Sequence, residues 1–132
     1  MSEQKNVRTI QEIYDAFGRR DVQAILDRLT DDVQWITHLD PVVPWSGNYC
    51  GKEDVKRFFA NVYGAGEVLA FEPLEFVAEG DMVISIGKYG CRSAATGKEA
   101  HTRWIFVWKF RNGQISYYEQ FHDIKIADAF RA

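Results

Sequence analysis

Along the first part of the chain apolar residues return every three or four positions, placing Val7, Ile10, Ile13, Tyr14 and Phe17 on one face of a helix over residues 3 to 19. Asp21 can cap a second, shorter helix carrying Val22, Ile25, Leu26 and Leu29, which stops near Thr30-Asp31-Asp32. The period then falls to two. Val33, Trp35 and Thr37 alternate with Gln34, Ile36 and His38, which predicts a short strand with His38 on its outward side. Residues 39 to 51 hold two prolines and two glycines, breakers of both helix and ladder, and so read as a long loop that is functional or mobile. Gly51 leads into a third helix with Val55, Phe58, Phe59 and Val62 on its buried face.

From residue 67 the pattern is β, with strands near 67 to 78, 82 to 92, 99 to 111 and 114 to 122. Glu79-Gly80-Asp81 and Arg111-Asn112-Gly113 are the hairpin connections, the Asn-Gly pair being the stronger signal because both residues tolerate positive φ. Helices first and a strand meander last predict one α+β domain over residues 1 to 132, its antiparallel or mixed sheet curved around the helices.

In the strand 99 to 111, Ala100, Thr102, Trp104, Phe106, Trp108 and Phe110 share one face, which should meet the helices. The other face carries His101, Arg103, Ile105, Val107 and Lys109; its aliphatic middle suits a partly covered sheet back, and a homodimer through the sheet is expected. The last strand splits into Ile115, Tyr117, Glu119, Phe121 and Ser116, Tyr118, Gln120, His122, and periodicity does not decide which set is inside.

Composition narrows the chemistry. Aromatic residues make up 14% of the chain, and large rigid rings suit the wall of a cavity as well as a core. A net charge of -3 from interspersed acids and bases makes nucleic acid and anionic membrane surfaces poor partners. The polar start Met1-Ser2-Glu3-Gln4-Lys5-Asn6, with no 18-residue apolar run after it, predicts no signal peptide or membrane span and a cytoplasmic location. Cys50 and Cys91, 41 residues apart, are expected to be buried or half-buried thiols in a reducing compartment. Dinucleotide, Walker, serine-nucleophile and zinc signatures are absent, so neither cofactor nor metal is expected.

Several segments together resemble the SnoaL-like branch of the nuclear transport factor 2-like superfamily, which includes the ketosteroid isomerases. They are Tyr14-Asp15-Ala16-Phe17 with Arg20-Asp21, Leu29-Thr30-Asp31-Asp32-Val33-Gln34-Trp35, the loop Pro44 to Gly51 running into Val55 and Phe58-Phe59, Thr96-Gly97-Lys98, and Phe110 to Ile115. The resemblance implies a cone: a curved sheet closed by three helices, with a mouth leading to a pocket. It also implies that Ser116, Tyr118, Gln120 and His122 form the inward face of the last strand. In the isomerases a carboxylate base follows the first strand, and a helical tyrosine and a protonated aspartate hold the oxyanion. Tyr14 matches that tyrosine and Asp40-Pro41 resembles the base motif across a gap, while Phe106 stands at the oxyanion aspartate.

The implied activity is cofactor-independent proton transfer on a small hydrophobic carbonyl compound. Asp40 or His122 would be the base and Tyr14 the donor to the developing enolate. Trp35, Trp45, Tyr49, Phe59, Trp104, Phe106, Trp108, Tyr118 and Gln120 would contact the ligand, with Trp45 and Tyr49 as a lid. A non-catalytic binder of a small hydrophobic ligand and a dimeric interaction module are the alternatives.

Overall fold

The computed structural model describes residues 2–132, with only the backbone of Ser2; Met1, the first residue of the polar N-terminal run, lies outside the described residues. Helix α1 (Ser2–Gly18) buries Ile10, Ile13, Tyr14 and Ala16 on the face that the apolar period marks. Helix α2 (Val22–Leu26) begins at Asp21, whose side chain accepts the Ala24 N–H at 3.2 Å. It ends sooner than its apolar spacing suggests. Leu29 opens strand β1 (Leu29–Thr37) opposite Ile115, and both side chains are fully buried. A helix-compatible spacing is overridden there by a cross-strand contact between residues far apart in sequence.

The breaker-rich loop contains a further element that the sequence pattern conceals. Strand β2 (Asn48–Cys50) runs antiparallel to β1, pairing Tyr49 with Trp35, and Cys50 is exposed on this edge strand instead of buried; Cys91 is buried as expected. Helix α3 (Lys52–Gly64) follows and buries Val55, Phe58, Phe59 and Val62.

Four long strands complete the sheet: β3 (Gly66–Glu79), β4 (Met82–Ser93), β5 (Glu99–Arg111) and β6 (Gln114–His122). The order is β2-β1-β6-β5-β4-β3, with β1 and β6 parallel and every other pair antiparallel, so the sheet is mixed, curved and unclosed. Asn112 and Gly113 turn the β5–β6 hairpin at φ 54° and 81°. A Cβ at Gly87 would lie 2.2 Å from the Trp104 ring and 2.5 Å from the Glu72 carbonyl oxygen, so only glycine admits that indole against the β4 backbone. The chain ends in a 3₁₀ helix (Ile124–Ala129), which periodicity did not predict; Asp123 caps it, and Ile126, Ala127 and Ala129 are buried.

On the convex face Val77, Ile105 and Phe121 remain exposed, Ile105 pairing directly across the β5–β6 ladder with Phe121. His38 and His101 point outward as strand parity predicts. His38 stacks on Phe121 and pairs with Glu119 at 2.6 Å. Among the described residues no helix is long and apolar enough to cross a membrane.

Candidate functional site

The concave face of the sheet and the helices enclose an apolar cavity of about 60 Å³. Helix α1 contributes Ile13, Tyr14 and Phe17 because their spacing stacks them on one face; α3 contributes Phe58, Phe59 and Val62 for the same reason. The sheet supplies Trp35, Phe106 and Trp108, with Phe71 and Tyr89 from its far side and Trp45 from the breaker-rich loop. Polar groups enter from β6, where Tyr118, Gln120 and His122 point inward.

That inward set is the one the isomerase resemblance implies, except at Ser116. A register shift between Lys109 and Phe110 changes the parity, so that Ile115 is the fully buried residue and the Ser116 hydroxyl reaches the Lys109 carbonyl instead.

Two phenols anchor the polar end of the cavity. The Tyr14 hydroxyl accepts a hydrogen bond from Trp108 Nε1 at 3.1 Å, and the Tyr118 hydroxyl accepts one from Gln120 Nε2 at 2.6 Å. Each keeps its own O–H to donate. Burial raises both hydroxyls above the ordinary tyrosine value; Ser85 and Trp108 partly offset this at Tyr14, and Gln120 does so at Tyr118. Both are therefore protonated donors at neutral pH.

His122 lines the same cavity two positions beyond Gln120 on β6, edge-on to Tyr89 at 5.8 Å and to Phe106 at 6.0 Å between ring centroids. Its Nδ1 is buried without a hydrogen-bond partner, and burial pushes its pKa down to about 4. The imidazole is accordingly neutral at physiological pH and able to take a proton. Among the described residues no Asp, Glu, Lys or Arg lines the cavity.

The sequence matches the family model of the SnoaL-like domain over residues 10–118. The chain belongs to the SnoaL-like family. No curated protein matches its sequence. Among solved structures, an NTF2-like protein from Burkholderia xenovorans superposes with a TM-score of 0.90 at 26% identity, covering 99% of each chain. A second NTF2-like protein, from Burkholderia thailandensis, gives a TM-score of 0.87 at 25% identity, covering 96% of this chain and 98% of that one. TerC, co-crystallized with polyporic acid, shares the fold with a TM-score of 0.81 at 24% identity over 96% of this chain and 97% of its own.

In this SnoaL-like domain most of the residues singled out from sequence meet at one cavity, but three lie elsewhere. Asp40 is exposed beyond the end of β1, where its carboxylate accepts the Val42 N–H at 2.9 Å and the Arg131 guanidinium at 2.8 Å. These partners, the Val42 N–H foremost, hold it below the usual carboxylate range. Asp40 reaches a surface groove that His122 also borders, yet only His122 faces the cavity as well. Tyr49 is buried outside the cavity wall, its hydroxyl donating to the Trp45 and Ser46 carbonyls at 3.1 and 3.3 Å. It ties down the loop that carries Trp45. Trp104 stacks on Phe106 at 4.0 Å and donates from Nε1 to the Lys88 carbonyl, so it fills the layer behind the wall.

Sequence reading missed Ile13, Phe17, Phe58, Val62, Phe71 and Tyr89 as lining residues. The helical ones were legible as partners of Tyr14 and Phe59 on the same faces. Tyr89 follows Val83, Ser85 and Gly87 on the inward face of β4, where a serine and a glycine disguise the alternation. Phe71 lies between two register shifts on β3, which remove any fixed parity.

Proposed function

We propose that this SnoaL-like domain takes up a small apolar carbonyl compound and moves a proton on it without a cofactor, His122 acting as base and Tyr14 and Tyr118 as donors. The observation that carries this reading is one neutral imidazole with an unpartnered nitrogen and two protonated phenols lining the same otherwise apolar cavity, to which the described residues bring no charge.

The step is a redox-neutral proton shift. His122 accepts a proton from the carbon next to the carbonyl, the C–H electron pair forms a carbon–carbon double bond, and the carbonyl π pair moves to oxygen. The O–H groups of Tyr14 and Tyr118 stabilise that oxygen, and Phe106 replaces the protonated aspartate of the isomerases. The imidazolium then returns its proton to a different carbon. Burial makes the imidazolium costly by itself; the enolate formed beside it offsets that cost.

The test follows α-hydrogen exchange of acetophenone in D2O by NMR. The wild type should accelerate exchange, and His122→Gln should reduce the enzymatic rate by about a hundredfold or more. An equal rate in both proteins removes the catalytic role. Ligand binding without exchange would support the binder reading, which is favoured by the lack of any carboxylate base at the cavity.

The convex face carries a second proposal, a homodimer through the sheet, supported by the exposed Ile105–Phe121 pair with Val77 nearby on β3. Sedimentation should show a dimer that Ile105→Glu dissociates; a monomeric wild type refutes it.

A further inference from the structure

Three residues that line the cavity carry buried polar atoms that the protein itself leaves without partners. Trp35 is 1% exposed and its Nε1–H, a donor with no acceptor capacity, meets nothing; Gln120 is 2% exposed and its Oε1 is unpaired although Nε2 bonds Tyr118. His122 Nδ1 is unpaired as well. A native core seldom tolerates such groups, because each unpaired buried donor or acceptor costs about 1–3 kcal/mol. Three on one cavity point to a ligand that completes them.

Their chemistry states what that ligand must offer. Trp35 Nε1–H, with the two phenolic O–H groups, calls for a carbonyl-type acceptor. The Gln120 amide and the His122 imidazole call for a group that both donates and accepts, which a hydroxyl does in whichever orientation the amide takes. Among the described residues no cation lines the cavity to meet a carboxylate or phosphate, and desolvating an anion there would be unfavourable.

Size adds a limit. The space of about 60 Å³ is less than half of the roughly 150 Å³ apolar cavity that accepts benzene, so a ring enters only if one wall residue turns away. Trp45 is the wall residue on a loop instead of a helix or long strand, and its indole packs edge-on against Phe130 at 5.5 Å. Turning the indole aside frees about the space of one ring with its carbonyl and hydroxyl substituents, which favours a single substituted ring over a larger fused polycycle.

We propose that the ligand is an uncharged, single-ring hydroxy-carbonyl compound, its carbonyl oxygen meeting Trp35 Nε1 and the phenols and its hydroxyl meeting Gln120. This deepens the function proposed above and rests on the same cavity, but not on proton transfer.

The experiment titrates the intrinsic tryptophan fluorescence of the full chain with 3-hydroxyacetophenone, acetophenone, 3-hydroxybenzoate and a fused-ring hydroxyketone, 6-hydroxy-1-tetralone. The hydroxyketone with one ring should bind at least about tenfold tighter than acetophenone, corresponding to one rescued buried acceptor, and about a hundredfold tighter than the carboxylate. In Gln120→Leu the advantage of the hydroxyl should shrink to within about threefold, with acetophenone binding retained. Equal affinity for the two ketones in the wild type, preference for the carboxylate or the fused ring, or no binding by any of the four overturns the proposal, whatever the variant does. The expected preference without α-hydrogen exchange leaves this inference standing and removes the catalytic reading; exchange without the preference does the reverse.

Discussion

Replacing His122 by phenylalanine should change how stability depends on pH. In the unfolded chain a histidine takes up its proton near pH 6.5. In the folded protein burial lowers this to about 4. Between those values the unfolded state holds a proton that the folded state refuses, so stability falls as pH drops from about 6.5 and the full loss is present below about 4. At about 1.4 kcal/mol per pKa unit the loss comes to about 3.5 kcal/mol. The ring borders the surface groove as well as the cavity, and solvent there reduces the figure to about 2 kcal/mol. Such a loss is a substantial part of the 5–15 kcal/mol typical of a domain.

A phenylalanine preserves the edge-on packing against Tyr89 and Phe106 and removes the titration. Urea unfolding at several pH values between 7.5 and 4 should place the two proteins within about 1 kcal/mol at pH 7.5. At pH 4 the variant should be the more stable by about 2 kcal/mol. Acidic groups whose pKa values are lowered by their partners, such as Asp40 and Glu119, begin to lose stabilisation only toward the acid end of this range, alike in both proteins, and cancel in the difference. Parallel pH curves, or an NMR titration showing the His122 ring protonating near 6.5, would refute the argument.

Other outcomes follow from single contacts. Gly87→Ala should destabilise by about 3 kcal/mol in urea unfolding, since its methyl group meets the Trp104 ring and the Glu72 carbonyl where neither can move freely. Tyr14→Phe strands the Trp108 Nε1–H; it should lower stability by about 1–2 kcal/mol and slow α-hydrogen exchange by about a hundredfold. Asp40→Asn should leave that exchange within about twofold of wild type, because its carboxylate is held by Val42 and Arg131 outside the cavity; a hundredfold drop would restore Asp40 as the base.

Much of the architecture was legible from local pattern because amphipathic helices and hairpins are encoded over short distances. The faces of α1 and α3, the inward side of β5 and the Asn112-Gly113 turn needed only periodicity and the tolerance for positive φ. The same logic failed where a distant partner decides. Leu29 fits the α2 period but belongs to β1 because Ile115 lies opposite it. Asn48–Cys50 pairs with β1 despite its setting among prolines and glycines. Ser116 loses the inward position to Ile115 through a register shift that no local signal marks.

The candidate site divides in the same way. By itself the sequence determined which residues are available: abundant aromatic rings, a helix face bearing Tyr14, and a last strand whose alternate positions are Tyr118, Gln120 and His122. Only the tertiary structure decided which of them share a space. Inserting β1 beside β6 brings Trp35 against Tyr118, and the packing of α1 on the sheet sets Tyr14 on Trp108. The bond between Arg131 and Asp40 joins residues 91 positions apart, beyond the reach of any local pattern. Titration and unmet hydrogen bonding depend on the whole shell of neighbours, so the lowered pKa of His122 and the unpaired atoms of Trp35 and Gln120 exist only once the chain has closed around them.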